Sequence, residues 1–272
     1  MTKIIVLTDF SFTAKKATNI ALKLAQSTKC QLHFFHTILT PIDWVKLSLE
    51  KENLYPEVKV KIAKAKSELS AIKIICDHKG IEYNGHLTFN RGGENLTEYI
   101  HQNDYDLVIM GSHGIHGVEK VIGTNTTQVV NQVQIPVLVV KGQTSETAFK
   151  NVVIYFDNQK DAADMWHNIN KTPQFKACKY HFVSSKKLSI EEHSKVAQFY
   201  ADLVEAFPKL GFYKTELLYD DVWTSFMNYL SPLKEPLVVL NDNHNGIDSF
   251  ESRNRSHFFK FMNHQSIPTL CL

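Results

Sequence analysis

The chain has 272 residues, which is long for one hydrophobic core and comfortable for two domains of ordinary size. Its content of 43% hydrophobic and 21% charged residues is typical of globular proteins and argues against disorder. Thirty basic residues are scattered among 28 acidic ones, for a net charge of +2, so no basic patch indicates a nucleic-acid partner.

Short apolar runs alternate with helical patterns along the first half of the chain. Strands are predicted at 3–8, 31–38, 83–89, 106–110 and 137–141. Helices are predicted from residue 12 with Ser11 as N-cap, over 44–78 with a break near Pro56, over 95–102 and over 126–133. Because the strands are apolar on both faces, they indicate an α/β fold in which helices cover a parallel sheet.

The second half of the chain repeats this plan. Strands are predicted at 151–156, 179–184, 212–219, 236–240 and 269–272, with helices over 191–207, 221–230 and 256–262. The Ile-Pro pair before the last strand recurs at an offset of 132 (267 − 135), and this offset places the glycine-containing segment 111–114 on 243–246. Asp9 and Asp157, which each follow a first strand, differ by an offset of 148 (157 − 9). We infer an internal duplication with different early loops and with domains at 1–142 and 147–272.

Cysteine and histidine spacing gives no sign of a metal site. The four cysteines are far apart and suggest core residues in a reducing compartment: Cys30, Cys76, Cys178 and Cys271. The thirteen histidines form no HExxH motif. The first apolar run is interrupted by Asp9 and does not resemble a secretory signal, and no run reaches the length of a membrane span. We therefore expect a cytoplasmic protein with no membrane partner.

A glycine cluster follows the fourth strand of the first half, within the segment from Met110 to Val130. Ligands of open α/β sheets bind at the carboxyl ends of the strands, and glycines let backbone N–H groups approach an anion. The run GTNT that starts at Gly123 then opens a helix, whose amino end favours phosphate. The spacing matches neither GxGxxG nor the Walker pattern, and such glycines also form plain turns, so the residues alone leave both readings open.

Several segments taken together resemble the universal stress protein family. The residues from 111 to 124 resemble its nucleotide-binding signature, G-x2-G-x9-G-(S/T), and IPVLVVK resembles the strand that follows it. The opening TDFSFTAKKATNIALKLA and the run DLVIMGSHG also resemble the family's consensus sequence. The resemblance covers residues 1–142 directly and the remainder through the duplicated plan. It implies two Rossmann-like (adenine nucleotide alpha hydrolase-like) open parallel sheets, arranged as an internal pseudo-dimer that pairs through the last strands.

The resemblance also implies an ATP site in the first domain. Asp9 would contact the ribose or the adenine, and Thr37 would border the base. Met110 is a further implied nucleotide contact. The residues implied to surround the ribose and phosphates are Gly111, His113, Gly114, Gly123, Thr124, Asn125 and Thr126. A plain structural role stands beside several of these, as a helix cap for Asp9, a solvent-facing loop residue for His113 and ordinary helix-start residues for Thr124 and Thr126.

Two departures from the family pattern bear on this site. Eight residues separate Gly114 from Gly123 where the family has nine, and the deletion either shortens the loop or moves Gly123 away from the phosphates. In the second domain only Gly246 of the glycine set is retained, and Arg255 replaces the third glycine. We therefore expect the second domain to be a degenerate structural or regulatory partner of the first.

The resemblance and the residues together predict a stress-response protein that binds ATP or a related adenine nucleotide, with or without Mg²⁺, as a regulatory ligand. Little or no catalysis is expected, because the chain has no G-x-S-x-G nucleophile elbow and no cysteine beside a base motif. Two alternatives stay open: a member that binds no nucleotide and acts by protein–protein contact, and a slow Mg-dependent ATPase. An unidentified protein partner and a homodimer are further expectations.

Overall fold

A computed structural model describes residues 2–93, 95–112, 124–145, 149–156, 158–171, 175, 178–184, 188–217, 222–241 and 267–272. Within these ranges the side chains at 124, 125, 127, 128 and 222 are not described. The chain divides into two compact units, Met1–Gly142 and Gln143–Leu272. Each unit is an open, fully parallel five-stranded sheet with helices, as the apolar strands predicted. No helix in the described part of the chain has both the length and the apolar character that crossing a membrane requires.

The first unit contains five strands in the order β3-β2-β1-β4-β5. Its elements in chain order are β1 (Lys3–Leu7), α1 (Phe12–Thr28), β2 (Gln31–Ile38), α2 (Leu49–Glu52), α3 (Pro56–Lys79), β3 (Tyr83–Phe89), α4 (Leu96–Gln102), β4 (Leu107–Gly111), α5 (Thr124–Gln132) and β5 (Val137–Val140). The chain adds β2 and β3 on one side of β1 and then β4 and β5 on the other. The order therefore reverses between β1 and β4, where doubly wound sheets open a ligand crevice at the carboxyl ends of the strands.

Helix α1 packs against the central strands through small side chains. Ser11 is its N-cap as predicted, and Ala14, Ala17 and Ala21 are almost fully buried. Three consecutive residues of β1, from Ile4 to Val6, have no exposed surface. This central strand is therefore covered on both faces, which explains why its sequence is apolar without alternation.

The prediction of one interrupted helix over 44–78 was wrong in its first part. Residues 44–48 are not helical. The predicted break near Pro56 is confirmed, because the four-residue helix α2 ends at Glu52 and Pro56 begins the longer helix α3 as its first residue. Proline fits this position because the first N–H groups of a helix have no intrahelical partner. Gly80 ends α3 with a left-handed φ of 64°.

The second unit has the equivalent strand order, β10-β9-β6-β7-β8. Its elements are β6 (Asn151–Phe156), α6 (Gln159–Lys171), β7 (Lys179–Ser184), α7 (Ile190–Ala206), β8 (Gly211–Glu216), α8 (Val222–Leu230), β9 (Pro236–Leu240) and β10 (Thr269–Cys271). Helix α6 was not predicted, although its buried residues Ala162, Met165, Trp166 and Ile169 have helical spacing. The helix predicted over 256–262 lies outside the described residues.

Strand register measures the duplication independently of the sequence motifs. Ile4 pairs with Leu32 in the first unit and Val152 pairs with Tyr180 in the second, so the first two strands share an offset of 148 (152 − 4 and 180 − 32). Leu32 then pairs with Tyr83 while Tyr180 pairs with Phe212, an offset of only 129 (212 − 83). The connection between the second and third strands is thus shorter in the second unit, by the difference of 19 (148 − 129).

The later strands correct one sequence-based alignment. Ile4 pairs with Leu107 and Val152 pairs with Leu237, which gives the fourth strand an offset of 130 (237 − 107). Gly111 therefore corresponds to Asn241, not to Asn243 as the offset of 132 predicted. That larger offset describes only the last strand, so the connection from β9 to β10 is longer than that from β4 to β5 by the difference of two.

Candidate functional site

The strand order brings Asp9 close to the start of the glycine loop. Leu7 and Met110 are register partners on β1 and β4, so the residues that follow each strand lie side by side at the carboxyl edge. Asp9 is exposed there, whereas Met110 and Ser112 are buried. The crevice thus presents a carboxylate at the point where the sheet order reverses.

Asp9 shapes a tight turn between β1 and α1. Its Oδ1 accepts a hydrogen bond from the Ser11 backbone N–H at 2.9 Å, and Phe10 takes a left-handed φ of 61°. Thr8 Oγ1 accepts from the Phe10 N–H at 3.0 Å, while Ser11 Oγ accepts from the Ala14 N–H at 3.3 Å. Ser11, not Asp9, therefore caps α1, so the alternative of Asp9 as the helix cap is wrong.

Gly111 lies against the first turn of α1. A Cβ atom at this position would be 2.7 Å from both the Ala14 nitrogen and the Thr13 carbonyl carbon, which are backbone atoms. Only glycine lets β4 approach the amino end of α1 this closely. The residue thus has a packing reason of its own, in addition to its predicted contact with a ligand.

His36 is a neighbour of this turn that sequence reasoning missed. Its Nδ1 lies 2.7 Å from the Thr8 carbonyl oxygen, which can only accept, so Nδ1 carries the proton. The His36 ring centroid is also 4.6 Å from that of Phe10. The signal that could have found it is a polar ring near the carboxyl end of the strand run QLHFFHTI. Thr37, the next residue, is half-buried on β2 opposite Thr88 of β3.

The remaining predicted contacts are only partly within the described residues. His113, Gly114 and Gly123 lie outside them. Helix α5 begins at Thr124, in agreement with the predicted helix start, but the side chains of Thr124 and Asn125 are not described. Thr126 is 1% exposed, so protein atoms enclose its hydroxyl in this structure. The predicted set of ligand residues stays a prediction.

An aromatic cluster, formed by Trp44, Tyr55, Phe89 and Phe10, borders the site at the ends of β2 and β3. Trp44 is 5% exposed and packs with Tyr55 and Phe89, and Phe10 joins the cluster from the Asp9 turn. The segment that carries Trp44 belongs to the connection that is longer in the first unit. The second unit thus has a shorter connection at the place where the first unit builds this cluster.

The described residues contain no group of three or more His, Cys, Asp or Glu side chains that could hold a metal ion. All four cysteines are buried and in the reduced thiol form. Burial raises the pKa of Cys76 and of Cys178 to about 11, which disfavours the nucleophilic thiolate. Asp157 and the loop of the second unit with Gly246, Arg253 and Arg255 lie outside the described residues.

The sequence model of the universal stress protein family matches residues 1–141, about half of the chain. The chain belongs to the universal stress protein family. No curated protein matches it in sequence. The nucleotide signature and the opening strand and helix both fall within the matched range.

Solved structures of universal stress proteins extend this likeness to both units. One from Archaeoglobus fulgidus covers 99% of this chain and 97% of its own, with 11% identity and a TM-score of 0.68. A second, from Pseudomonas aeruginosa, covers 99% of this chain and 92% of its own, with 11% identity and a TM-score of 0.61. At this identity the likeness shows the fold alone, and it shows a tandem universal stress protein fold.

A further universal stress protein was crystallised in complex with cAMP. It covers 51% of this chain and 96% of its own, with 17% identity and a TM-score of 0.40.

Proposed function

We propose that the first unit binds ATP or a related adenine nucleotide as a regulatory ligand, at the crevice between the ends of β1 and β4. One observation carries this proposal: an exposed carboxylate, Asp9, stands beside Gly111 at the point where the strand order reverses. The family signature over 111–124 supports the same location.

The described residues fit the parts of a nucleotide differently. A carboxylate accepts hydrogen bonds from ribose hydroxyls and repels phosphates, so Asp9 is suited to the sugar. The nine-residue helix α5 starts after the glycine loop, and its amino end favours the phosphates. Thr37 lies at the end of β2 with the aromatic cluster nearby, on the side where the base would lie. We assign Met110 and the glycine-loop residues to the ribose and phosphates on the family pattern.

Calorimetric titration of ATP with Mg²⁺ into the full chain tests this proposal. Asp9→Asn keeps an oxygen that can accept from Ser11 N–H but loses the negative charge, so we expect at least tenfold weaker ATP binding with an intact fold. Gly123→Arg, which places a large charged side chain in the glycine loop, should abolish binding. Asp77→Asn is the matched control, because Asp77 is an exposed carboxylate on α3. Absence of heat and of thermal stabilisation at millimolar ATP would overturn the proposal.

A second candidate function, protein–protein contact, is favoured by apolar side chains exposed on the first unit. Leu39, Val45, Leu49, Leu54 and Val60 are each more than half exposed, and all five lie within the short segment 39–60. Isolated exposed apolar residues are ordinary, whereas a contiguous apolar patch marks an interaction surface. We also propose that the protein is cytoplasmic, has a protein partner and forms a homodimer.

The slow ATPase is a separate alternative. Measuring phosphate release in the same ATP titrations would distinguish it from a protein that only binds the nucleotide.

A further inference from the structure

The second unit contains a cavity of about 390 Å³ at the amino-terminal edge of its sheet. Its apolar wall includes Met227 and Leu230 from α8, Leu233 from the following turn and Phe149 just before β6. Glu235, the residue before β9, lines the same space. The cavity is thus distinct from the proposed nucleotide site, which belongs to the first unit and to the carboxyl ends of its strands.

The duplicated position in the first unit holds a large aromatic ring. Glu235 precedes Leu237 by two positions, as Tyr105 precedes the equivalent Leu107. Tyr105 is 4% exposed, and its hydroxyl lies 3.0 Å from His33 Nδ1. The second unit therefore has a shorter, charged side chain where the first unit fills its core with a phenol.

Glu235 is held in an unusual conformation at the cavity wall. Its φ is 54°, in the left-handed region that few residues other than glycine adopt. Its side chain is 18% exposed, and Oε2 lies 3.0 Å from Nζ of Lys150, whose own side chain is 66% exposed. An ion-paired carboxylate thus lines the cavity, and a carboxylate oxygen can accept more than one hydrogen bond.

We propose that this cavity is a binding site for a small molecule with an apolar, ring-sized body and a hydroxyl group that donates to Glu235. The volume lies at the lower end of the range for small-molecule sites, about 300–1,000 Å³. The lining combines the apolar side chains with polar ones, which besides Glu235 are Gln143, Thr144, Ser145 and Ser231. Met227 gives one wall an adaptable side chain. This inference is independent of nucleotide binding.

A matched pair of fluorescent probes tests the site in the full chain. We expect 2-naphthol to bind about tenfold more tightly than 2-methoxynaphthalene, because only the naphthol can donate a hydrogen bond to a carboxylate. Glu235→Met, which removes the acceptor at similar size, should abolish this preference. Leu233→Trp should fill the cavity and remove binding of both probes. Ile190→Trp is the control, since Ile190 is 88% exposed elsewhere in the second unit.

The proposal is overturned if the full chain binds neither probe, if it binds both equally, or if Leu233→Trp leaves binding unchanged. Met227→Trp provides a second filled variant should Leu233→Trp fail to fold, as judged by circular dichroism. Chemical-shift changes of the Met227 methyl group on addition of 2-naphthol to the unmodified chain would support the location without any substitution.

Discussion

His33 and His181 occupy the same position in the two duplicated second strands, at the shared offset of 148 (181 − 33). Each has a tyrosine hydroxyl at its Nδ1, from Tyr105 at 3.0 Å in the first unit and from Tyr229 at 2.7 Å in the second. His181 Nε2 also lies 3.0 Å from Asn151 Oδ1, so it donates there, and Nδ1 accepts from Tyr229. The neutral imidazole is therefore built into the core of the second unit.

Protonation of His181 is expected to destabilise the second unit as the pH falls. Burial, with a smaller contribution from Lys179, lowers its pKa to about 4, below the usual value of 6.5. Between these two pH values the unfolded chain binds more protons than the folded chain. The contribution of neutral His181 to the free energy of unfolding is therefore fully present above pH 6.5 and decreases as the pH falls toward 4. At pH 5 the loss is about 2 kcal/mol.

Urea unfolding of the second unit at pH 7.5 and pH 5 checks this prediction. His181→Gln should be less stable at pH 7.5 but should lose less of its free energy of unfolding between the two pH values. His167→Gln, at an exposed position on α6, should keep the pH dependence of the original chain. An unchanged pH dependence in His181→Gln would show that another group is responsible.

At the scale of elements, the close approach of β4 to α1 fixes the geometry of the candidate site. The Cβ of Gly111→Ala would meet the Ala14 nitrogen at 2.7 Å, and neither backbone can move without shifting an element. We expect Gly111→Ala to cost about 1–3 kcal/mol in the free energy of unfolding and to weaken ATP binding. Gly142→Ala is the matched control, because its Cβ would meet only the Thr13 methyl group at 3.7 Å. Urea unfolding of both variants checks this, and equal midpoints would contradict it.

The sequence predicted best those elements that can be recognised from a short run of neighbouring residues. The strands at 31–38, 83–89, 151–156, 179–184 and 236–240 have the predicted bounds. The missed helix α6 begins with the polar run QKD, which obscured the buried face that follows it. The break near Pro56 was predicted correctly, but a proline alone does not show that the next helix begins at the proline itself.

The sequence predicted a location for the candidate site but not its contacts. The glycine run and Asp9 were expected at the carboxyl edge of the sheet, and Asp9 and Gly111 lie at that edge. The contact of Gly111 with Ala14 and the hydrogen bond between His36 and Thr8 both join parts of the chain that are far apart in sequence. No local pattern encodes such contacts. The correspondence between Glu235 and Tyr105 likewise became visible only from the strand register.

At the scale of the whole molecule, the reactivity of the four cysteines reports how well the interior of each unit is protected from solvent. Each is at most 5% exposed, and two lie in each unit: Cys30, Cys76, Cys178 and Cys271. Because burial also raises the pKa of Cys76 and Cys178, we expect no thiol to react with Ellman's reagent within minutes in the folded chain. All four should react once urea unfolds the protein. A fast-reacting thiol without urea would show that one unit opens readily.

Each unit is formed by one continuous stretch of chain, Met1–Gly142 and then Gln143–Leu272. The pairings of β1 with β2 and β4, of β2 with β3 and of β4 with β5 all join residues that precede Gln143, so none of these four pairings waits for later residues. During translation the first unit can therefore complete its sheet while the ribosome is still making the second. Parallel strands pair slowly because the paired residues are far apart in sequence. Within each unit this separation is limited to about half of the chain.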